Sequence, residues 1–200
     1  MTDCVFCDPD KIKPRMIASI DGLNIVATLG QITDGGYLLL IPSNHVSCLG
    51  DMSLEQISIV DRVSKLISSI IKKEYQSGLT IFEHGIVGQT IKHAHLHFYP
   101  KYANLSYKIR SDFLGTEIQY INSLVELQYL YRKRQEPYFL WSGAAGLTVC
   151  WNPPAPQQYL RTISAELLKV PERADWKTMD PELDKELIDE TMKRIAPYFV

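Results

Sequence analysis

The sequence of 200 residues is poor in several things that would have classified it quickly. It has four cysteines, Cys4, Cys7, Cys48 and Cys150, too few and too unevenly placed for a disulfide framework in a chain of this length. They read as reduced thiols or metal ligands. No apolar run approaches the roughly 18 residues needed to span a bilayer, and the polar start Met1-Thr2-Asp3 lacks a secretory pattern, so a cytoplasmic protein with no membrane partner is expected. A formal net charge of −2 provides no basic field, which removes general nucleic-acid binding. Lys108 with Arg110, and Arg132-Lys133-Arg134, read as solvated surface. There is no internal repeat. What remains, 46% hydrophobic and 22% charged, is the composition of an ordinary globular chain. It suits one domain, or a domain of roughly 100 to 130 residues with an elaboration.

Histidine is also scarce, yet three of the five stand in strict alternation at His93, His95 and His97. On a β-strand, period two would put the three imidazoles on one face, about 7 Å apart, and Ala94, Leu96 and Phe98 on the other. A lone strand histidine is most often a hydrogen-bonded structural residue. A row of three titratable groups backed by three apolar ones has little structural use, and reads as a reactive face on a core face.

The surrounding pattern predicts an α+β fold. Residues 15–20 and 23–29 form a hairpin across Asp21-Gly22, and Tyr37 to Ile41 is a third strand. Ser53-Leu54-Glu55-Gln56 has the form of a capping box. Leu54, Ile57, Val60, Val63, Ile67, Ile70 and Ile71 then recur at helical spacing to about Gln76. Leu79 to Glu83 is a fourth strand, His84 to Gln89 a glycine-bearing loop, and Ile91 to Pro100 the strand that carries the histidines. The expectation is a five-stranded antiparallel sheet with one long helix packed on it. Beyond it, Glu117 to Arg134 reads as helix, Tyr138 to Trp141 and Leu147 to Trp151 as a hairpin across Gly143-Ala144-Ala145-Gly146, and Asn152 to Pro156 as a stiff connector. Gln157 to Leu168 and Pro181 to Ile195 read as helices, the second with Asp180 as N-cap.

The run Gly88-Gln89-Thr90-Ile91-Lys92-His93-Ala94-His95-Leu96-His97-Phe98-Tyr99 resembles the signature of the histidine triad (HIT) superfamily of nucleotide hydrolases and transferases. Cys4-Val5-Phe6-Cys7 resembles the N-terminal motif of many members, and Leu39-Leu40-Ile41-Pro42-Ser43-Asn44-His45 resembles their strand ending in histidine. The likeness covers residues 1 to about 103. It implies a HIT domain over 1–103 and, over 104–200, a mixed and mainly helical C-terminal extension packed on that domain.

The resemblance implies that His95 attacks an α-phosphorus, forming a nucleotidyl-histidine that water or another acceptor resolves. Neutral imidazole suits this, being a nucleophile near pH 7 and a good leaving group. His97, Gln89 and Thr90 would contact the phosphoryl oxygens. Cys4, Cys7, His45 and His93 match positions that bind a structural zinc in several branches, two thiolates and two imidazoles making a closed tetrahedral set. Three positions depart from the pattern: Leu29 stands near the usual ribose-binding residue, Gly36-Tyr37 replaces a Gly-His pair, and Glu83 and His84 replace an asparagine. Gln157-Gln158-Tyr159-Leu160-Arg161 and Pro171 to Trp176 resemble, more weakly, extensions of longer HIT-like proteins. Arg161 is a candidate phosphate clamp, against the alternative that these helices cover the sheet or form a homodimer interface rich in Tyr159, Trp176 and Tyr198. Two further readings stay open: a metalloenzyme using the triad itself as ligands, and a non-catalytic nucleotide-binding or interaction protein on the same fold.

Overall fold

A computed structural model describes residues 4–143 and 146–199. Met1-Thr2-Asp3 and the central pair of the second hairpin, Ala144-Ala145, lie outside the described residues. The strands are β1 (Met16–Ile20), β2 (Leu23–Ala27), β3 (Leu38–Pro42), β4 (Thr80–Gly85), β5 (Leu96–Tyr99), β6 (Ile118–Ile121), β7 (Tyr138–Gly143) and β8 (Gly146–Trp151). The helices are α1 (Pro9–Ile12), α2 (Leu54–Tyr75), α3 (Leu105–Asp112), α4 (Leu124–Arg134), α5 (Tyr159–Leu167) and α6 (Pro181–Ile195).

The α+β class stands, but the five-stranded sheet must be corrected to eight strands in the order β1-β2-β3-β5-β4-β7-β8-β6, every neighbouring pair antiparallel. The first five strands would end at β4, leaving a row of unpaired backbone groups. β7 covers that edge in the register Phe82↔Trp141, Glu83↔Leu140 and His84↔Phe139. The second half is therefore less helical than expected. The segment read as one helix from Glu117 divides at Asn122-Ser123: Ile118–Ile121 pairs with β8, and the Ser123 hydroxyl accepts from the Glu126 amide to cap α4. Ile118 and Ile121 stand three apart, a helical spacing, and the pairing with β8 overrides it.

The long helix is as its pattern requires. Ser53 and Gln56 exchange side-chain and backbone hydrogen bonds in a capping box, and Ile57, Val60, Val63, Ile67, Ile70 and Ile71 are buried. Leu54 is the exception and is exposed. This face packs on Ala94, Leu96 and Phe98, and on Tyr138 and Leu140 of β7, with α4 beside it. The opposite face of the sheet, with Tyr37, Phe82, Tyr99, Phe139 and Trp141, is covered by α3 and α5. Helices thus lie on both faces of the sheet. Among the described residues no helix is long and apolar enough to cross a membrane.

Candidate active site

The triad is less regular than a continuous strand. β5 begins at Leu96, and the preceding residues turn, with the His93 amide donating to the Ile91 carbonyl and the Ala94 amide to the Val46 carbonyl. The alternation nevertheless persists, because Ala94, Leu96 and Phe98 are drawn into the core. His95 and His97 face the other way, with ring centroids 4.8 Å apart.

Each ring has a defined hydrogen-bond role. His95 Nδ1–H donates to its neighbour's carbonyl, His93 O, at 2.6 Å, which leaves the Nε2 lone pair unprotonated. Burial pushes the His95 imidazole down to about 4, opposed by the bond to His93 O and assisted by the charge of His93, so the ring is neutral at pH 7. His97 Nδ1 lies 2.8 Å from the Tyr37 hydroxyl. The Arg161 guanidinium lies over the Tyr37 ring, its carbon 5.5 Å from the centroid. With Nδ1 accepting from the Tyr37 hydroxyl, His97 carries its proton on Nε2; with Nδ1–H donating to it, the proton is on Nδ1. That Nε2 is buried without a partner among the described residues. Phe82 stacks on the His97 ring at 4.2 Å, and burial holds His97 well below the ordinary histidine range.

These rings open on a cavity of about 350 Å3. Its apolar wall includes Val5, Phe6, Leu29, Leu39, Ile91 and Trp176, and its charged side chains are Arg15, Arg161 and Lys177. No acidic side chain lines it among the described residues. In a chain of net charge −2, three cations and no anion around two neutral imidazoles favour a negatively charged ligand. Gln89 lines the cavity with its amide donating to Ser47 O at 2.9 Å, and Thr90 is exposed at the rim. Arg161 is buried, and it spends Nε on Ala174 O and Nη2 on Gly30 O and Arg173 O while bordering the cavity. Gly88 is required as glycine: its φ is +70°, and a Cβ there would lie 2.6 Å from the Pro156 carbonyl oxygen.

His84, which replaces the expected asparagine, faces the same cavity. Its Nε2 accepts from the Leu160 amide at 3.1 Å, and burial, then the charges of His95 and Arg161, push it down to about 3. Glu83 points to the other side of the sheet. Its carboxylate accepts from the Leu49 amide at 2.8 Å and the Tyr138 hydroxyl at 2.6 Å, and burial drives it up to about 7 against those two bonds. The folded state thus retains a proton that the unfolded chain releases above about 4.5, and stability from this group falls as pH rises from about 4.5 to 7. The buried histidines contribute the opposite slope, since a base with a depressed value resists protonation as pH falls below 6.5. Comparison with Glu83→Gln isolates the carboxyl. The variant is expected to gain on the wild type by about 1.4 kcal/mol per pH unit across that interval, read from urea unfolding at several pH values. Parallel stability curves would refute the assignment.

Cys4, Cys7, His45 and His93 converge so that one ligand atom from each lies within 4.8 Å of all the others. Sγ to Nδ1 distances are 3.4 Å for Cys4–His93, 3.3 Å for Cys7–His45 and 3.5 Å for Cys7–His93. Sulfur at ~2.3 Å and nitrogen at ~2.0 Å from a tetrahedral centre should be separated by about 3.5 Å. The donor set therefore fits zinc. His93 Nε2–H donates to Pro42 O at 2.9 Å, which frees Nδ1 for a metal. The Cys4–Cys7 turn also places Phe6 edge-on against His95, centroids 5.2 Å apart, so the Cys2His2 cluster and the His95 ring share a wall.

An antiparallel sheet presenting alternating histidines beside a Cys2His2 cluster defines a histidine triad protein. Residues 3–111 match DcpS_C, a HIT-like family described as "Scavenger mRNA decapping enzyme C-term binding", and the chain belongs to that family. Among solved structures, a HIT family protein from Bacillus anthracis is 27% identical over 50% of this chain and 74% of its own, with a TM-score of 0.46. A HIT family member from Bacillus subtilis is 23% identical over 50% and 74%, with a TM-score of 0.46. A DUF4931 family protein from Bacillus cereus aligns over 92% of this chain and 99% of its own at 15% identity and a TM-score of 0.50, a likeness of fold alone that spans both halves. No curated protein matches the sequence.

Several contributors were not legible as such. Tyr37 was visible only as a departure from a motif, and its contact with His97 forms only where β3 and β5 meet, sixty residues apart in sequence. Nothing in the local sequence marks Arg15, Gln158 or Lys177 as cavity residues, since they meet only through tertiary contacts.

Proposed function

We propose that the protein is a HIT-type nucleotidyl hydrolase or transferase that acts on the α-phosphate of a nucleotide conjugate, such as a dinucleoside polyphosphate or phosphoramidate. The observation that carries this reading is the state of His95, a buried neutral imidazole with Nδ1 committed to a carbonyl and Nε2 free, in a cavity whose charged side chains are all cations. Nε2 attacks the α-phosphorus. The N–P bond forms as the bond to the departing group breaks, and that group leaves with the electron pair. Water or another acceptor then attacks the same phosphorus, loses a proton, and displaces neutral His95. His97 Nε2–H donates to a phosphoryl oxygen in both steps, with Gln89 and Thr90 as further contacts. Arg161 adds positive charge at the cavity edge.

The same reading assigns zinc to Cys4, Cys7, His45 and His93. When bound, zinc supplies a structural crosslink between the N-terminal turn and the triad loop. Thiolate ligands belong in a reducing compartment, which supports a cytoplasmic setting. The test is a panel of dinucleoside polyphosphates and nucleoside phosphoramidates incubated with the protein. Nucleoside monophosphate should be released, and rapid quenching should reveal intact protein heavier by one nucleotidyl group. Absence of both across the panel would overturn the proposal and favour a non-catalytic binding role.

A further inference from the structure

The chain has three tryptophans, and the fold uses them differently. Trp141 and Trp151 are buried in the cores on the two faces of the sheet, and their indole N–H groups donate to Ser106 Oγ and Gln119 Oε1. Trp176 is only half-buried and lines the cavity, on an irregular stretch between α5 and α6. The Nζ of Lys177, another cavity residue, lies 5.7 Å from the centroid of its ring.

Several buried interactions hold this stretch in place. Arg161 donates from Nε to Ala174 O at 2.6 Å and from Nη2 to Arg173 O at 2.8 Å and Gly30 O at 2.6 Å, which ties it to the loop after β2. Gly30 has a φ of +70°, and a Cβ there would lie 2.6 Å from Trp176 Cβ, so the two chain segments meet with no side chain between them. Asp175 closes a turn around the tryptophan. Its carboxylate accepts from the Lys177 amide at 3.0 Å, and its carbonyl accepts from the Thr178 and Met179 amides at 3.2 Å. Leu29, next to Gly30, is 38% exposed and lines the same cavity.

Two large apolar side chains on this wall are therefore left partly uncovered. A flat apolar group laid against them would recover the burial they forgo. The face of an indole carries negative charge density and repels a phosphate, whereas the cavity cations Arg15 and Lys177 attract one. The wall thus suits a planar apolar group joined to an anionic one.

We propose that Trp176 is a substrate-binding residue on which the base of the nucleotide stacks. The C-terminal half then holds the base while the triad half performs the phosphorus chemistry. This rests on the nucleotide reading above and deepens it.

Adenosine 5′-monophosphate, as an unreactive product, is the probe, used with the full chain. Because Trp141 and Trp151 are buried, acrylamide quenching of the intrinsic fluorescence reports chiefly on Trp176. Saturating monophosphate should lower that quenching to the level of Trp176→Phe, and ribose 5-phosphate at the same concentration, which lacks the base, should leave it unchanged. Trp176→Phe keeps an aromatic face and should bind the monophosphate nearly as well as the wild type. Trp176→Ala should bind it roughly ten- to a hundredfold more weakly by calorimetry, with a melting curve as the control for folding. If that variant does not fold, the quenching of the wild type decides. Bound monophosphate that leaves Trp176 open to acrylamide, equal shielding by ribose 5-phosphate, or unchanged affinity in a folded Trp176→Ala overturns this inference alone. A wild-type protein that neither binds the monophosphate nor releases it from any conjugate overturns the nucleotide reading and this inference with it.

Discussion

His95→Ala is expected to reduce release of nucleoside monophosphate by on the order of 10^4-fold or more while leaving the protein folded. The loss is large because the nucleophile has no substitute in the cavity. His97 commits Nδ1 to Tyr37 and its Nε2 is buried, and His84 Nε2 accepts from the Leu160 amide. Neither offers a lone pair where His95 offers Nε2. Folding should survive, since His95 makes its one hydrogen bond to the adjacent backbone and removal of a buried neutral ring strands no charge. The measurement is steady-state turnover on whichever conjugate the panel identifies, with circular dichroism and a melting curve as the control. Retention of more than about one-hundredth of wild-type activity in a folded variant would remove His95 from the nucleophile's role.

Cys4→Ser combined with Cys7→Ser is expected to eliminate bound zinc and to lower the melting temperature by on the order of 10 °C. The turn holding the two cysteines is short and packs a small apolar cluster around Phe6, Ile12, Val26, Leu39 and Ile41. Without the metal, that cluster and the His93 ring are its main anchors. Because Phe6 touches both His93 and His95, turnover should fall as well, by less than in His95→Ala. Elemental analysis of the purified variant separates the two metal readings. A structural ion leaves with the cysteines, whereas an ion held by the triad would remain at full occupancy and would make the protein a metalloenzyme.

Legibility in the sequence followed the range of the interactions. The capping box at Ser53 and Gln56, the stripe of α2, and the N-cap at Asp180 all depend on residues within a few positions, and all appear where the pattern put them. The alternation of His93, Ala94, His95, Leu96 and His97 was equally local, and it sorted the histidines from the core side chains even though regular strand begins only at Leu96. The strand at Ile118–Ile121 failed the same kind of reading. Its neighbour, β8, arrives some thirty residues later, and without that pairing the three-residue separation of Ile118 and Ile121 reads as helix. Glu83 and His84 were visible as departures from a motif, yet their opposite roles depend on which face of β4 each occupies. Leu49 and Tyr138 meet one, and Leu160 meets the other.

The sequence by itself determined the family, since an alternating histidine run with its Gly-Gln-Thr lead-in and a paired CxxC is written in adjacent residues. Tertiary structure alone decided how the sheet is completed and what surrounds the reactive ring. β7 had to find the open edge of β4, Arg161 had to reach Tyr37 and Gly30, and Gln158 had to be tied to Gly88 before the cavity had its second wall. Those contacts join residues from the two halves of the chain. Their specificity comes from burial and satisfied hydrogen bonds in three dimensions, which no local pattern encodes.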